Sequence, residues 1–375
     1  MTKKVQTFKS GSFVFSLNYN KSKLTELIVK SEILYRTVAD VPILPNLAAG
    51  LEEDLIKKSI FGTAAIEGNP LSEEDVNKML SQEKIEGKLI DPQKQIQNLR
   101  EAYQIIKQTQ YSRQPIILEE KLIKSIHEII TKDSESLENI PGKYRNHPVK
   151  VGDEAHGGVY APPKILEDIK KLMKHYIEWI NSPEVLKEDA FIRACLAHYY
   201  LALIHPFDNG NGRTSRAIEA ILLKSAGIKF VPHMLSNFYY KNLNDYFIAF
   251  SMSEKNDCND ITPFVEFYLT GLIDSLEEIK ARIFSWIREF TLRDYYEYLR
   301  REKQISQRQF DLLVILLRFK EEFTLKDLFE KDIFKIIYRN VGERTAMRDL
   351  KILLENSLLE AIKKNTYILN LNVLG

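Results

Sequence analysis

One twelve-residue run constrains this chain more than any other segment: His205-Pro206-Phe207-Asp208-Asn209-Gly210-Asn211-Gly212-Arg213-Thr214-Ser215-Arg216. Before it, Asp189 to Ile204 is apolar on nearly every face (Phe191, Ala194, Cys195, Leu196, Ala197, Leu201). A helix without a polar face has to be buried. After it, Ala217, Ile218, Ile221 and Leu222 recur at helical spacing, and Gly227 suits the stop. The run therefore joins a core helix to a second helix through a glycine turn, and any fold must hold this turn rigidly.

The turn has chemical consequences. The first N–H groups of a helix lack internal partners and carry the positive end of its dipole. Gly210 and Gly212 let an anion approach that backbone closely. Arg213 and Arg216 stand three residues apart, and guanidinium forks suit polyphosphate oxygens. His205 has an ordinary pKa near ~6.5 and accepts a proton at neutral pH. A base beside a polyphosphate cradle points to attack by a hydroxyl on a nucleotide phosphate.

The run resembles the signature of the Fic family, which reads His-Pro-Phe, any residue, Asp or Glu, Gly-Asn-Gly-Arg, two free positions and Arg. The resemblance implies a mainly α fold, with a Fic-type helical core and a β-hairpin flap. It also implies AMP transfer from ATP to a Ser, Thr or Tyr hydroxyl of a protein. His205 would be the general base, and Gly210, Asn211, Gly212, Arg213, Thr214, Ser215 and Arg216 would hold the phosphates. The single departure is Asn209, where the family carries the acid that holds Mg²⁺. An amide oxygen ligates a hard cation without bringing charge, so Mg²⁺ or Mn²⁺ is expected to bind less well there. Asp208, one residue early, is expected to point elsewhere.

Three further stretches extend the resemblance. Thr63-Ala64-Ala65-Ile66-Glu67-Gly68 is similar to the family's inhibitory motif, in which the glutamate reaches the second arginine of the signature. Carried over, Glu67 pairs with Arg216, and Thr63 opens the motif. Two short arms around Lys150-Val151-Gly152 and Gly157-Gly158-Val159-Tyr160 read as a hairpin. Gly152 and Tyr160 resemble flap positions, whose edge would pair with the target segment. Asn242 and Tyr246 resemble a stretch that holds adenosine. His198 and His233 have no metal-type spacing and read as packing or surface residues.

The bulk composition allows all of this. The chain has 53 Lys and Arg against 52 Asp and Glu, so no global charge argues for nucleic acid or an acidic membrane. Its two cysteines, Cys195 and Cys258, are too few for a disulfide scaffold. No apolar run reaches the ~18 residues of a membrane span, and a cytoplasmic location is the expectation.

Along the chain, residues 1–110 are expected to form an N-terminal region with the inhibitory helix at about 51–68. Residues 111–300 would be the catalytic domain and 301–375 a winged helix-turn-helix module. The segment from Ser31 to Gly50 holds Pro42 and Pro45 and reads as a linker. In the distal module, Thr345, Arg348 and Lys351 would line a recognition helix. From Arg300 to Gly375 there are 15 basic and 11 acidic side chains, a mild bias, and DNA is a candidate partner beside a homodimer contact. Two alternatives stand beside AMP transfer. One is a Fic-type transferase or de-AMPylase with another donor or direction. The other is a decayed, ATP-responsive DNA-binding regulator.

Overall fold

The computed structural model describes residues 2–82, 89–133, 139–156, 158–256 and 258–374. Gly157 of the expected hairpin lies outside them. Contacts divide the chain into two units, Met1–Lys280 and Ala281–Gly375.

The first unit opens with an antiparallel hairpin, β1 (Thr2–Gln6) and β2 (Ser12–Ser16), in the register Thr2↔Ser16. Phe15 stacks on Trp179 at 5.5 Å, and Tyr200 Oη accepts from Ser16 N at 2.7 Å. The hairpin turn is tied down by Asp168, which accepts from Phe8 N at 2.6 Å and Ser10 Oγ at 2.6 Å. Helix α1 (Lys21–Asp40) follows, capped by Asn20, and then α2 (Pro45–Ile66). The expected linker over 31–50 is thus mostly helix. Leu34 and Val38 belong to the buried face of α1, and Pro45 is the first residue of α2, where a missing N–H costs nothing. The expected helix over 51–68 starts earlier, and Glu67 is its C-cap.

Short α3 (Glu73–Leu80) begins at Ser72, whose side chain accepts from Asp75 N at 3.1 Å. It is followed by α4 (Asp91–Gln108), α5 (Glu120–Ile130), α6 (Leu166–Ile180) and α7 (Pro183–Leu186). Helix α8 (Ala190–Ile204) lies in the core with nearly every side chain buried, as its apolar sequence requires. It packs along α9 (Asn211–Ser225), and α10 (Leu235–Lys241) packs on α2. Then come α11 (Leu243–Glu254) and α12 (Thr262–Arg301), the helix within which the two units divide. Between α5 and α6 the expected hairpin is reduced to a single antiparallel bridge, Val151↔Tyr160.

The second unit has its own core, built from Leu292, Tyr296, Leu312, Leu316, Leu350 and Leu353 among others. Its elements are α13 (Gln307–Phe319), β3 (Phe323–Thr324), α14 (Asp327–Glu330), α15 (Asp332–Tyr338), α16 (Glu343–Glu355), β4 (Leu359–Lys363) and β5 (Thr366–Leu369). The strands form one antiparallel sheet in the order β3-β5-β4. Among the described residues, no helix of either unit is long and apolar enough to cross a membrane.

Candidate active site

His205 ends α8 in a left-handed conformation, φ 48°, which turns the chain out of the helix in one residue. Arg145 holds that turn: its Nε donates to His205 O at 2.8 Å, and its backbone N to Pro206 O at 3.0 Å. The imidazole Nδ1 lies 3.3 Å from Ala202 O. A carbonyl only accepts, so Nδ1 carries the proton and Nε2 is left as the basic nitrogen. Burial, with a smaller push from the Arg145 charge, lowers the His205 pKa to about 4 against the favourable effects of Ala202 O and Glu67. The ring is therefore neutral, and able to take a proton, across the physiological range.

The glycine turn is braced from beneath. Asn211 Oδ1 accepts from Phe207 N at 2.9 Å and its Nδ2 donates to Phe207 O at 2.7 Å. His127 was not singled out in the sequence, yet it fixes the same loop. Gly142 N donates to its Nδ1 at 2.9 Å, so Nε2 holds the proton and donates to Asn209 O at 2.9 Å. Its ring stacks on Phe207 with centroids 3.7 Å apart. Gly210, at φ 75°, caps α9, and a Cβ there would come 2.7 Å from Thr131 Cγ2. Ser215 Oγ donates to Asn211 O at 2.9 Å and Thr214 is fully buried, so both hydroxyls face the helix and the core.

Arg216 is buried and threefold engaged. Its Nε donates to Thr63 Oγ1 at 2.8 Å, and its Nη2 to Thr63 O at 3.3 Å and to Glu67 Oε1 at 2.7 Å. Burial works against the Glu67 carboxylate, but Arg216 and Arg213 outweigh it and hold its pKa below the ordinary value. A Cβ on Gly212 would collide with Glu67 Oε1 and sit 3.0 Å from Arg216 Nη1. The close approach that this glycine permits is filled here by a carboxylate of the chain itself.

Of these groups, Glu67, His205, Gly212 and Arg216 line a cavity of about 340 Å³ together with Gly152, Tyr160 and Tyr246, whereas Gly210, Asn211, Arg213, Thr214 and Ser215 do not line it. Asn242 does not line it; its side-chain amide donates to Phe238 O at 3.0 Å. Tyr246 is held from behind. Its Oη is 2.8 Å from His198 Nε2, and His198 Nδ1 is 2.5 Å from Glu219 Oε2. A carboxylate on Nδ1 fixes the tautomer, so the tyrosine donates to Nε2. His198 is thus a packing residue that orients a cavity wall, which no spacing rule could disclose.

The donor set does not suit a hard dication. Asn209 Oδ1 accepts from Gly210 N at 2.7 Å and from Arg213 Nη2 at 3.0 Å, so its lone pairs face cationic and N–H donors. Asp208 Oδ1 is 2.9 Å from His147 Nε2. Among the described residues no three His, Cys, Asp or Glu side chains gather as a metal site.

Residues 117–223, from just before α5 almost to the end of α9, match the Fic/DOC family. Over that segment the chain is similar to Fic domains. It is similar to a protein adenylyltransferase Fic of Aedes aegypti, with 30% identity over 217 residues, 58% of this chain and 40% of that one. A protein adenylyltransferase Fic of Nematostella vectensis gives 30% over 211 residues, 56% and 45%. The chain thus spans less than half the length of these relatives. In fold it is similar to a Fic family protein from Desulfovibrio desulfuricans, with TM-score 0.54, 19% identity, and 92% and 95% of the two chains covered. Fic-1 from C. elegans gives a TM-score of 0.54 with 21% identity, covering 69% and 72%. The matched segment includes His205, the glycine turn and both signature arginines, whereas Glu67 and Tyr246 lie outside it.

Proposed function

We propose that this protein is an autoinhibited adenylyltransferase that moves AMP from ATP to a Ser, Thr or Tyr hydroxyl of a protein. The observation that carries the reading is the Glu67–Arg216 pair at 2.7 Å on the wall of the cavity that His205 also lines. His205 Nε2 takes the proton of the acceptor hydroxyl as its oxygen attacks the α-phosphorus, and pyrophosphate leaves. Arg213 and Arg216 grip the β- and γ-phosphates, and the Gly210 to Gly212 amides cradle the chain between them. Tyr246 packs against the adenosine. The bridged segment carrying Gly152 and Tyr160 presents the acceptor backbone to His205. Glu67, braced by Thr63, occupies the phosphate seat and its guanidinium, so ATP cannot settle productively until the carboxylate leaves.

The test is self-labelling with radiolabelled ATP. Glu67→Gly is expected to raise labelling above wild type, and adding His205→Ala to abolish it. Equal labelling with and without His205 removes the mechanism.

Asn209, with its oxygen turned to Arg213, favours a second reading: a site that takes another donor, runs in the reverse direction, or only senses nucleotide. Intact-protein mass after a nucleotide panel separates these, because AMP, UMP and phosphate add different masses. In that reading the second unit acts as a DNA-binding or dimer module, which gel shifts with the full chain would register.

A further inference from the structure

A second cavity of about 210 Å³ adjoins the first and shares three wall residues with it, Tyr160, Leu203 and Glu254. Leu203 precedes His205 by two positions on the same helix, and Tyr160 is one half of the Val151↔Tyr160 bridge. The second cavity thus begins beside the candidate base, on the side of the bridged segment. The β1–β2 hairpin covers it through Thr7, Ser10 and Phe13. Its volume is below the ~300–1,000 Å³ of pockets that hold whole small molecules, and it suits one long side chain.

Glu254 is the acid common to both cavities. It is the last residue of α11, where the negative end of the helix dipole disfavours a carboxylate. It is half-buried, and among the described residues it makes no hydrogen bond or ion pair. Burial moves its pKa upward, with Lys255 opposing, which marks the charged form as under-compensated. Phosphate-binding groups stand elsewhere on the first cavity, at Gly212 and Arg216. A carboxylate in this setting repels phosphate and attracts a cation. The aromatic residues Phe13 and Tyr199 complete a lining that suits an aliphatic stem ending in a cationic head.

We infer that this second cavity is an acceptor-side subsite in which Glu254 receives a Lys or Arg side chain flanking the hydroxyl to be modified. The inference rests on the transferase reading and adds a substrate preference to it. The probe is a peptide library with a central Ser, Thr or Tyr and randomised flanks, presented with ATP to the full chain carrying Glu67→Gly. Labelled peptides are read by mass spectrometry. Lys and Arg are expected to be enriched about tenfold at a flanking position. The enrichment is lost with Glu254→Gln and turns to Asp and Glu with Glu254→Lys. Each variant is compared with itself across peptides, so a general loss of activity does not imitate the effect, and a melting curve confirms its fold. Fluorescence anisotropy with a dye-labelled Arg-flanked Tyr peptide repeats the comparison without chemistry: affinity falls about tenfold in Glu254→Gln. Labelling with no basic preference, or a preference that survives both substitutions, overturns the subsite and leaves the transferase reading intact. Absence of any labelling, of peptides or of the protein itself, overturns both.

Discussion

Replacing Glu67 with Gly removes the carboxylate that holds Arg216, and its effect can be worked from the contacts that remain. Arg216 is nearly inaccessible, with a side chain 1% exposed, whereas Glu67 is 25% exposed. Stripping a buried charge of its sole partner costs about 3–5 kcal/mol. Arg216 is not left alone, however, because Thr63 Oγ1 at 2.8 Å and Thr63 O at 3.3 Å still accept from it. With those bonds intact and Glu67 partly solvated, the cost falls to about 1–3 kcal/mol. For a unit of this size that lowers Tm by about 2–6 °C. In the proposed reading the same vacancy admits a triphosphate, which binds only the folded state and restores stability in proportion to its saturation. The expected pattern is a crossed one. Without ATP, Glu67→Gly melts below wild type; with ATP it gains several degrees, while wild type barely moves. The pair is present at the assay pH: Glu67 has a folded pKa below its ordinary 4.5, so its contribution is complete above pH 4.5 and is lost only as pH falls through the lower folded value. Differential scanning fluorimetry in a His205→Ala background, which prevents self-labelling, reads both shifts. Equal ATP shifts in the two proteins, or a variant that melts above wild type without ligand, refutes the reasoning.

Three other perturbations follow from the structure. The His205 pKa of about 4 places the acid limb of kcat/KM for a Glu67→Gly enzyme well below the ordinary 6.5. A pH–rate profile that falls between pH 7 and 6 contradicts the neutral-imidazole account. Gly210→Ala forces a side chain into φ 75° and against Thr131 Cγ2, at a cost of about 1–3 kcal/mol, and it displaces the turn. Gly50→Ala, inside α2 with open space around it, is expected to stabilise by about 0.5–1 kcal/mol, and chemical denaturation compares the two directly.

How much of this could be read from the sequence depended on distance along the chain. The junction from α8 to α9 was legible because its parts are contiguous: an all-apolar helix, a proline, two glycines and a second apolar period. Pro42 and Pro45 misled in the opposite way. They punctuate the gap between α1 and α2, and clustered prolines read as a loop although one of them starts a helix. The expected flap pairs through one bridge only, a pairing too short to leave a strand-like alternation. The N-terminal hairpin was missed because its strands are short and its turn is held by Asp168, far away in sequence. His127 and the Glu219–His198–Tyr246 chain were invisible for a related reason. Each works through partners on other helices, and only the fold brings them together.

The glycine turn itself ties the proposed catalysis and the proposed inhibition to one set of atoms. Arg216 offers a single fork of donors, and Gly212 leaves room for one anion beside it. On the proposed reading, Glu67 and a terminal phosphate therefore exclude each other, and a substitution that sharpens this seat for one sharpens it for the other. Thr63 is the element that breaks the symmetry. It orients Arg216 from α2, the helix that also delivers Glu67, so any motion of the end of α2 withdraws the carboxylate and loosens the arginine together. Release by rotation of the Glu67 side chain alone keeps Arg216 braced for phosphate, whereas release by displacement of α2 does not. Thr63→Val distinguishes the routes. In a Glu67→Gly background it weakens ATP binding if the brace serves the nucleotide-bound state, and leaves it unchanged if α2 has already moved away.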